Sequence, residues 1–270
     1  MNYSLRELFF LLDAENQELP FVNRATPTAG ELFPDIVSAS EKMLWQENQR
    51  YANQDDAALV SGLLLYDRID FSRLPKSAYR LHELSAYAFD IFITVWMSEL
   101  PLEAELLRFG RKVLAAKDSR AAELVVGNRN DDDVRLVLET VQKVWHEIDR
   151  LRGLLRFAPD NNGRYLARCE PDYYILPALG VHFSLRFGTT PWAIIDDRRG
   201  LILSCFSGTP ELCTLSAEPE ENHARREEAD QWENLWCNYH KTINNASRAN
   251  SGLQRQFMPK RYWKNLPEMK

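Results

Sequence analysis

One helix constrains the rest of the chain. After Asp131-Asp132-Asp133 the apolar residues Val134, Val137, Leu138, Val141, Val144, Trp145, Ile148 and Leu151 recur at steps of three and four, the spacing of a single helix face. The acids at its start suit the positive end of the helix macrodipole. Lys143, His146, Glu147 and Arg150 follow the same steps on the other side, and a solvated or domain-bridging salt-bridge face is the expectation there. The pattern stops at Gly153, where a different period begins. The chain therefore reads as a helical region over residues 1–152, then an α+β domain over 153–270.

Within the first region, Ser38-Ala39-Ser40-Glu41 has capping-box spacing ahead of Met43, Leu44 and Trp45. A second helix is expected around Ala86 to Trp96, ended by Pro101, and a third from Leu102 to Ala116. After Gly153, Leu154 to Ala158 and Arg164 to Cys169 flank an Asn-Gly turn signal and predict a hairpin. Pro177 opens a helix that runs to Phe187, with Gly188 to close it. Trp192 to Asp196 and Leu201 to Phe206 predict a second hairpin, turning at Asp197 to Gly200, and Glu211 to Ser216 a further strand. An acidic stretch, Glu218 to Glu228, leads into a helix with Trp232, Leu235, Trp236 and Tyr239 along one stripe. The expected class is α+β: a helical N-terminal half, then an antiparallel sheet of two hairpins backed by helices.

The composition excludes several functions. The longest apolar stretch, Phe89 to Met97, is broken by Asp90 and is far shorter than the ~20 residues of a membrane span. Acids at Glu7, Asp13 and Glu15 leave no cationic leader, so a cytoplasmic protein with no membrane association is expected. Cys169, Cys205, Cys213 and Cys237 form no C-x-x-C pair, and are expected as small buried residues rather than ligands of zinc or an iron-sulfur cluster. No Gly-rich phosphate loop, nucleophile elbow or zinc-deaminase signature is present. No metal site and no cofactor is expected.

The C-terminus points to a polyanion. From Lys241 to Lys270 there are seven Lys or Arg against one acid, Glu268, in a chain whose net charge is -6. Basic and aromatic residues are interleaved there. Arg255, Lys260, Arg261 and Lys264, with Phe257, Tyr262 and Trp263, are suited to grip a nucleic-acid backbone while a ring stacks on a base. The competing reading is a C-terminal helix begun by Pro259, with Trp263 and Leu266 docked on the body and the cations solvated.

Other candidates lie upstream. His182 and Arg186, four apart on the Pro177 helix, share one side of it, while Leu179, Phe183 and Phe187 form the apolar stripe. His182 is either a proton donor or phosphate contact, with Arg186 on the same anion, or a hydrogen-bonded structural residue. Asp196 and Asp197 face opposite sides of a strand end and make a poor bidentate metal site. A turn role is expected, with Asp197 bonding the backbone, while Arg198 and Arg199 can reach a phosphate. If the second half covers the polar face of the Asp131 helix, Glu147, Arg150, Arg156, Glu170 and Asp172 converge on one polar cleft.

A resemblance joins these residues. Leu253-Gln254-Arg255-Gln256-Phe257-Met258-Pro259-Lys260-Arg261-Tyr262-Trp263-Lys264-Asn265-Leu266-Pro267-Glu268 resembles the ending of a bacterial family described as DNA metabolism proteins, whose C-terminal part is a domain of unknown function. Glu147 to Phe157, Glu170-Pro171-Asp172, Leu176-Pro177, His182-Phe183, Arg186-Phe187 and Trp192 to Arg199 resemble its further motifs in the same order. That family's domain occurs fused to a uracil-DNA glycosylase-like domain, and its stand-alone form beside a radical S-adenosylmethionine protein of DNA modification or repair. The resemblance implies an accessory protein that binds single-stranded or distorted DNA, or presents it to such a partner. Arg255, Lys260, Arg261, Tyr262, Trp263, Lys264, Arg186 and Arg198 would make the contacts. An enzyme using His182 with the carboxylates Glu147, Glu170 and Asp196, and a domain that binds only protein, are the alternatives.

Overall fold

A computed structural model of the chain describes residues 3–13, 74–160, 163–206, 208, 210–214 and 227–269. The helix expected after Ser38 and most of the acidic stretch after Glu218 lie outside the described residues. Two compact units divide the chain, Met1–Val144 and Trp145–Lys270.

The first unit contains the helices α1 (Leu5–Asp13), α2 (Lys76–Leu84), α3 (Ala86–Met97), α4 (Glu103–Leu114) and α5 (Ser119–Gly127), and the start of α6 (Asp132–Leu154). Apolar residues occupy every side of α3 except at Asp90, so it forms the centre of this unit, with Phe89, Phe92, Val95 and Trp96 buried. Phe9 of α1 stacks on Phe89 and Phe92 at 5.7 and 4.8 Å. Ser85 starts α3 by accepting from the Ala88 N–H at 3.1 Å. The chain leaves α3 through Glu99 at φ 59, a conformation costly for a residue with a Cβ, just before Pro101. Helix α4 approaches closely at Gly110, where a Cβ would lie 3.0 Å from Leu12. Asp131 caps α6: its Oδ1 accepts from the N–H groups of Asp133 and Val134, and Lys112 reaches its carboxylate at 2.6 Å.

The second unit holds one five-stranded sheet in sequence order: β1 (Ala158–Pro159), β2 (Tyr165–Cys169), β3 (Trp192–Asp196), β4 (Leu201–Cys205) and β5 (Glu211–Thr214). The class is α+β, but the sheet is mixed rather than antiparallel. The β1–β2, β3–β4 and β4–β5 pairs are antiparallel, whereas β2 and β3 are parallel in the register Tyr165↔Trp192 to Cys169↔Asp196. The reason is the helix between them, α7 (Leu176–Phe187). It carries the chain back to the edge from which β2 began, and a return of this kind makes a parallel neighbour. The first hairpin is also shorter than expected: α6 takes Leu154, and only Ala158–Pro159 pair as β1.

Leu176, Leu179 and Phe183 of α7 are buried, as are Trp192, Ile194 and Leu203 of the sheet; Phe183 lies 6.2 Å from Trp192. Parallel pairing makes β2 and β3 end at the same edge, so Glu170-Pro171-Asp172 and Asp196-Asp197 leave the sheet side by side. The remaining elements are α8 (Glu227–Ile243), α9 (Ser251–Phe257), and 3-10 turns over Ala246–Arg248, Lys260–Asn265 and Pro267–Met269. The segment after Pro259 is a helix, as one of the two readings had it, and is of the 3-10 type. No helix among the described residues is long and apolar enough to cross a membrane.

Candidate functional site

Glu147 is the centre of a charged cluster at the shared end of β2 and β3. It sits on the face of α6 expected to be solvated or to bridge domains by salt bridges, and its side chain is 1% exposed. A carboxylate so deeply buried must be matched by donors, and four reach it. The backbone N–H groups of Asp172 and Tyr173 donate at 3.0 and 2.9 Å, the Tyr262 hydroxyl at 2.6 Å and Arg261 at 3.1 Å. Arg261 also pairs with the Asp172 carboxylate, whose other oxygen lies 3.5 Å from Arg198. Burial pushes the Tyr262 hydroxyl well above the ordinary phenol range, and its bond to Glu147 pushes it further.

Asp196, wholly buried, closes the turn after β3. Its Oδ1 accepts from the N–H groups of Arg198 and Arg199, and Arg199 returns to its Oδ2 at 2.9 Å. Turn formation therefore belongs to Asp196, not to the expected Asp197, which faces the other way and pairs with Arg168. Burial raises the pKa of Asp196 above the ordinary carboxylate range, with Arg199 opposing it. Arg199 is itself buried, and its guanidinium donates to the Pro171 and Asp172 carbonyls at 3.1 and 3.0 Å. It is held inside the turn rather than presented to a phosphate.

The basic C-terminal segment divides into two parts. Tyr262 and Leu266 are buried, Lys264 pairs with Glu170, and Arg156 meets Glu268 at 2.5 Å. Trp263 is half-buried and donates its indole N–H to the Met258 carbonyl at 2.9 Å. Those residues dock the segment on the second unit. Arg255 and Lys260 are exposed and make no ion pair among the described residues; Lys260 lies 5.8 Å from the centre of the Trp263 ring. Phe257, between them, is 66% exposed. The helix stripe expected before this segment also faces solvent, with Leu235, Trp236, Tyr239 and Ile243 all exposed.

His182 stands apart from the carboxylates. On α7 it packs edge-on against Phe183 at 4.8 Å, and its buried Nε2 has no hydrogen-bond partner. Burial lowers its pKa, and the charges of Arg152 and Arg186 lower it further. Arg186 is exposed and makes no ion pair among the described residues.

The convergence expected of Glu147, Arg150, Arg156, Glu170 and Asp172 thus resolves into three ion-pair groups, and among the described residues Arg150 joins none of them. Glu147 and Asp172 take Arg261 and Arg198, while Glu170 takes Lys264; Arg156 takes Glu268. The structure brings Glu147, Glu170 and Asp196 to one end of the sheet, each already bonded, and does not bring His182 to them. Among the described residues no group of three or more His, Cys, Asp or Glu side chains could hold a metal ion. Cys169 and Cys205 are buried as expected, but Cys213 is exposed on the edge strand β5. Sequence reasoning overlooked Tyr262 as the partner of Glu147.

No curated protein matches the chain, and no solved structure does. The model of one family, the domain of unknown function DUF4130, matches residues 106–268, more than half of the chain, taking in α6, the whole sheet and the docked C-terminal segment. The chain belongs to the DUF4130 family.

Proposed function

We propose that the protein binds single-stranded or distorted DNA through the exposed side of its C-terminal segment, and presents it to a radical S-adenosylmethionine partner of DNA modification or repair. The observation that carries the DNA part is Phe257, a large ring 66% exposed between the exposed cations Arg255 and Lys260. Leaving such a ring in water forgoes the gain of burial, and a ring beside cations suits a base stacked above a phosphate backbone. In this reading Arg261, Tyr262 and Lys264 anchor the segment, Trp263 supports Lys260, and Arg186 and Arg198 are further cations of the same unit. Support for the partner comes from the resemblance of the motifs to a family encoded beside such enzymes.

The net charge of -6 opposes indiscriminate duplex binding, whereas an unpaired strand offers stacking worth roughly 1 to 3 kcal/mol per base in addition. Fluorescence anisotropy of labelled single-stranded DNA, duplex DNA and RNA at two salt concentrations tests it. Saturable binding that favours the single strand and weakens with salt is expected. Binding left unchanged in both Phe257→Ala and the Arg255→Glu, Lys260→Glu double variant would exclude this surface.

A further inference from the structure

We infer that the outer face of α8 is where two copies of this chain pair, helix against antiparallel helix. The helix is mounted with its apolar stripe outwards. Among its described side chains, Glu233, Cys237 and His240 are half-buried, and Trp236 lies 5.4 Å from Arg156 of the body. Leu235, Tyr239 and Ile243 follow at steps of four round another side, and are 57%, 54% and 57% exposed. A stripe at this spacing is the side that a helix normally buries.

The rim of the stripe is uncharged. At 100° per residue Trp236 flanks it on one side and Asn238 and Thr242 on the other, the last two exposed. The face therefore differs from Phe257 and its neighbouring cations, and suits an apolar helix rather than a phosphate backbone.

Two features select a second copy of this chain as the occupant. The stripe is symmetric about its middle, being aliphatic, aromatic and aliphatic in turn. A dyad through Tyr239 sets Leu235 of one copy against Ile243 of the other, so one face complements itself. Charge then sets the direction. The helix opens with Glu227, Glu228 and Asp230 and carries His240 and Lys241 in its last turn, with Arg248 beyond. Antiparallel packing runs the acidic start of each copy alongside the basic end of the other and opposes the two macrodipoles. Parallel packing sets like charges together. Seventeen residues make a helix about 25 Å long, a contact at the small end of specific interfaces, so the dimer exchanges with monomer.

The mass of the full chain, read by analytical ultracentrifugation over a range of micromolar concentrations, tests the pairing. A reversible rise from the monomer mass towards twice that value is expected. Association should be at least about tenfold weaker in Tyr239→Glu, which buries unpaired charge at the dyad, with the thermal midpoint unchanged because the ring is exposed in the single chain. A chain that stays monomeric at every concentration, or a dimer indifferent to Tyr239→Glu, overturns the inference. Mild oxidation reads the direction. A mixture of Leu235→Cys and Ile243→Cys chains should cross-link between copies, and neither variant alone beyond the level of the unsubstituted chain. Equal cross-linking of either variant alone overturns the antiparallel pairing. Strand affinity that falls in Tyr239→Glu while the mass stays monomeric overturns it too, and gives the stripe to the nucleic acid.

Discussion

Glu147 accepts four hydrogen bonds from two separate stretches of chain: Asp172 and Tyr173, and Arg261 and Tyr262. A buried acceptor of this kind costs little while satisfied and much when a donor is removed. Tyr262→Phe deletes one donor with almost no change in volume, and should destabilise the second unit by about 1 to 3 kcal/mol in urea denaturation. A double-mutant cycle with Glu147→Gln should return a coupling of at least about 0.5 kcal/mol; additive losses would show the pair to be unimportant. Phe257→Ala is the contrasting case. Its ring is 66% exposed, so the midpoint of unfolding should barely move while strand affinity falls by roughly 1 to 3 kcal/mol. Little in the sequence separated these two aromatics. Both belong to one basic run, but Phe257 ends α9 while Tyr262 lies in the 3-10 turn after Pro259, and which of these meets the body is a geometry that residue type does not encode.

Helix α6 was the most legible element, because its apolar period and its acidic start agree. The structure adds that Asp131 is both a cap and a charge partner: it accepts from two N–H groups and binds Lys112. The ammonium of Lys112 holds the Asp131 carboxyl below its ordinary range. Asp131→Asn keeps the cap and loses the charge, whereas Asp131→Ala loses both. The alanine variant should cost about 1 to 2 kcal/mol and the asparagine variant a fraction of it, read as shifts in thermal midpoint. The second hairpin was legible to within a residue, since Gly200 at φ 62 is what its turn requires. The parallel β2–β3 pairing was not. Strand signals give length and facing, but direction is decided by how far the intervening helix carries the chain, and twelve residues of α7 suffice for a full return. The cluster at the strand ends followed from that pairing, so its acids were foreseen and their partners only in part.

For the molecule as a whole, pH acts through opposed groups. Burial raises the Asp90 carboxyl from 3.8 to about 6. Its folded pKa exceeds its unfolded one, so its contribution is fully present below about pH 4 and is lost as pH rises through about 6. Asp131 and Asp133 are lowered instead, by Lys112 and Arg108, so their contribution is present above their unfolded pKa of 3.8 and fails as pH falls below it. Asp90 thus lowers stability as pH rises from about 4 to about 6, a range in which Asp131 and Asp133 already contribute. In Asp90→Asn the decline between pH 4 and 7 should flatten, which thermal unfolding across that range would show; an unchanged slope would remove Asp90 as its cause.

The bond between Tyr262 and Glu147 spans 115 positions of sequence. A ribosome must add 115 residues after Glu147 before that bond can form, and until then the carboxylate lacks its two side-chain donors. The second unit thus matures only once Arg261 and Tyr262 have emerged, and a protease that cuts ahead of Lys260 should return it to the state of an unfinished nascent chain.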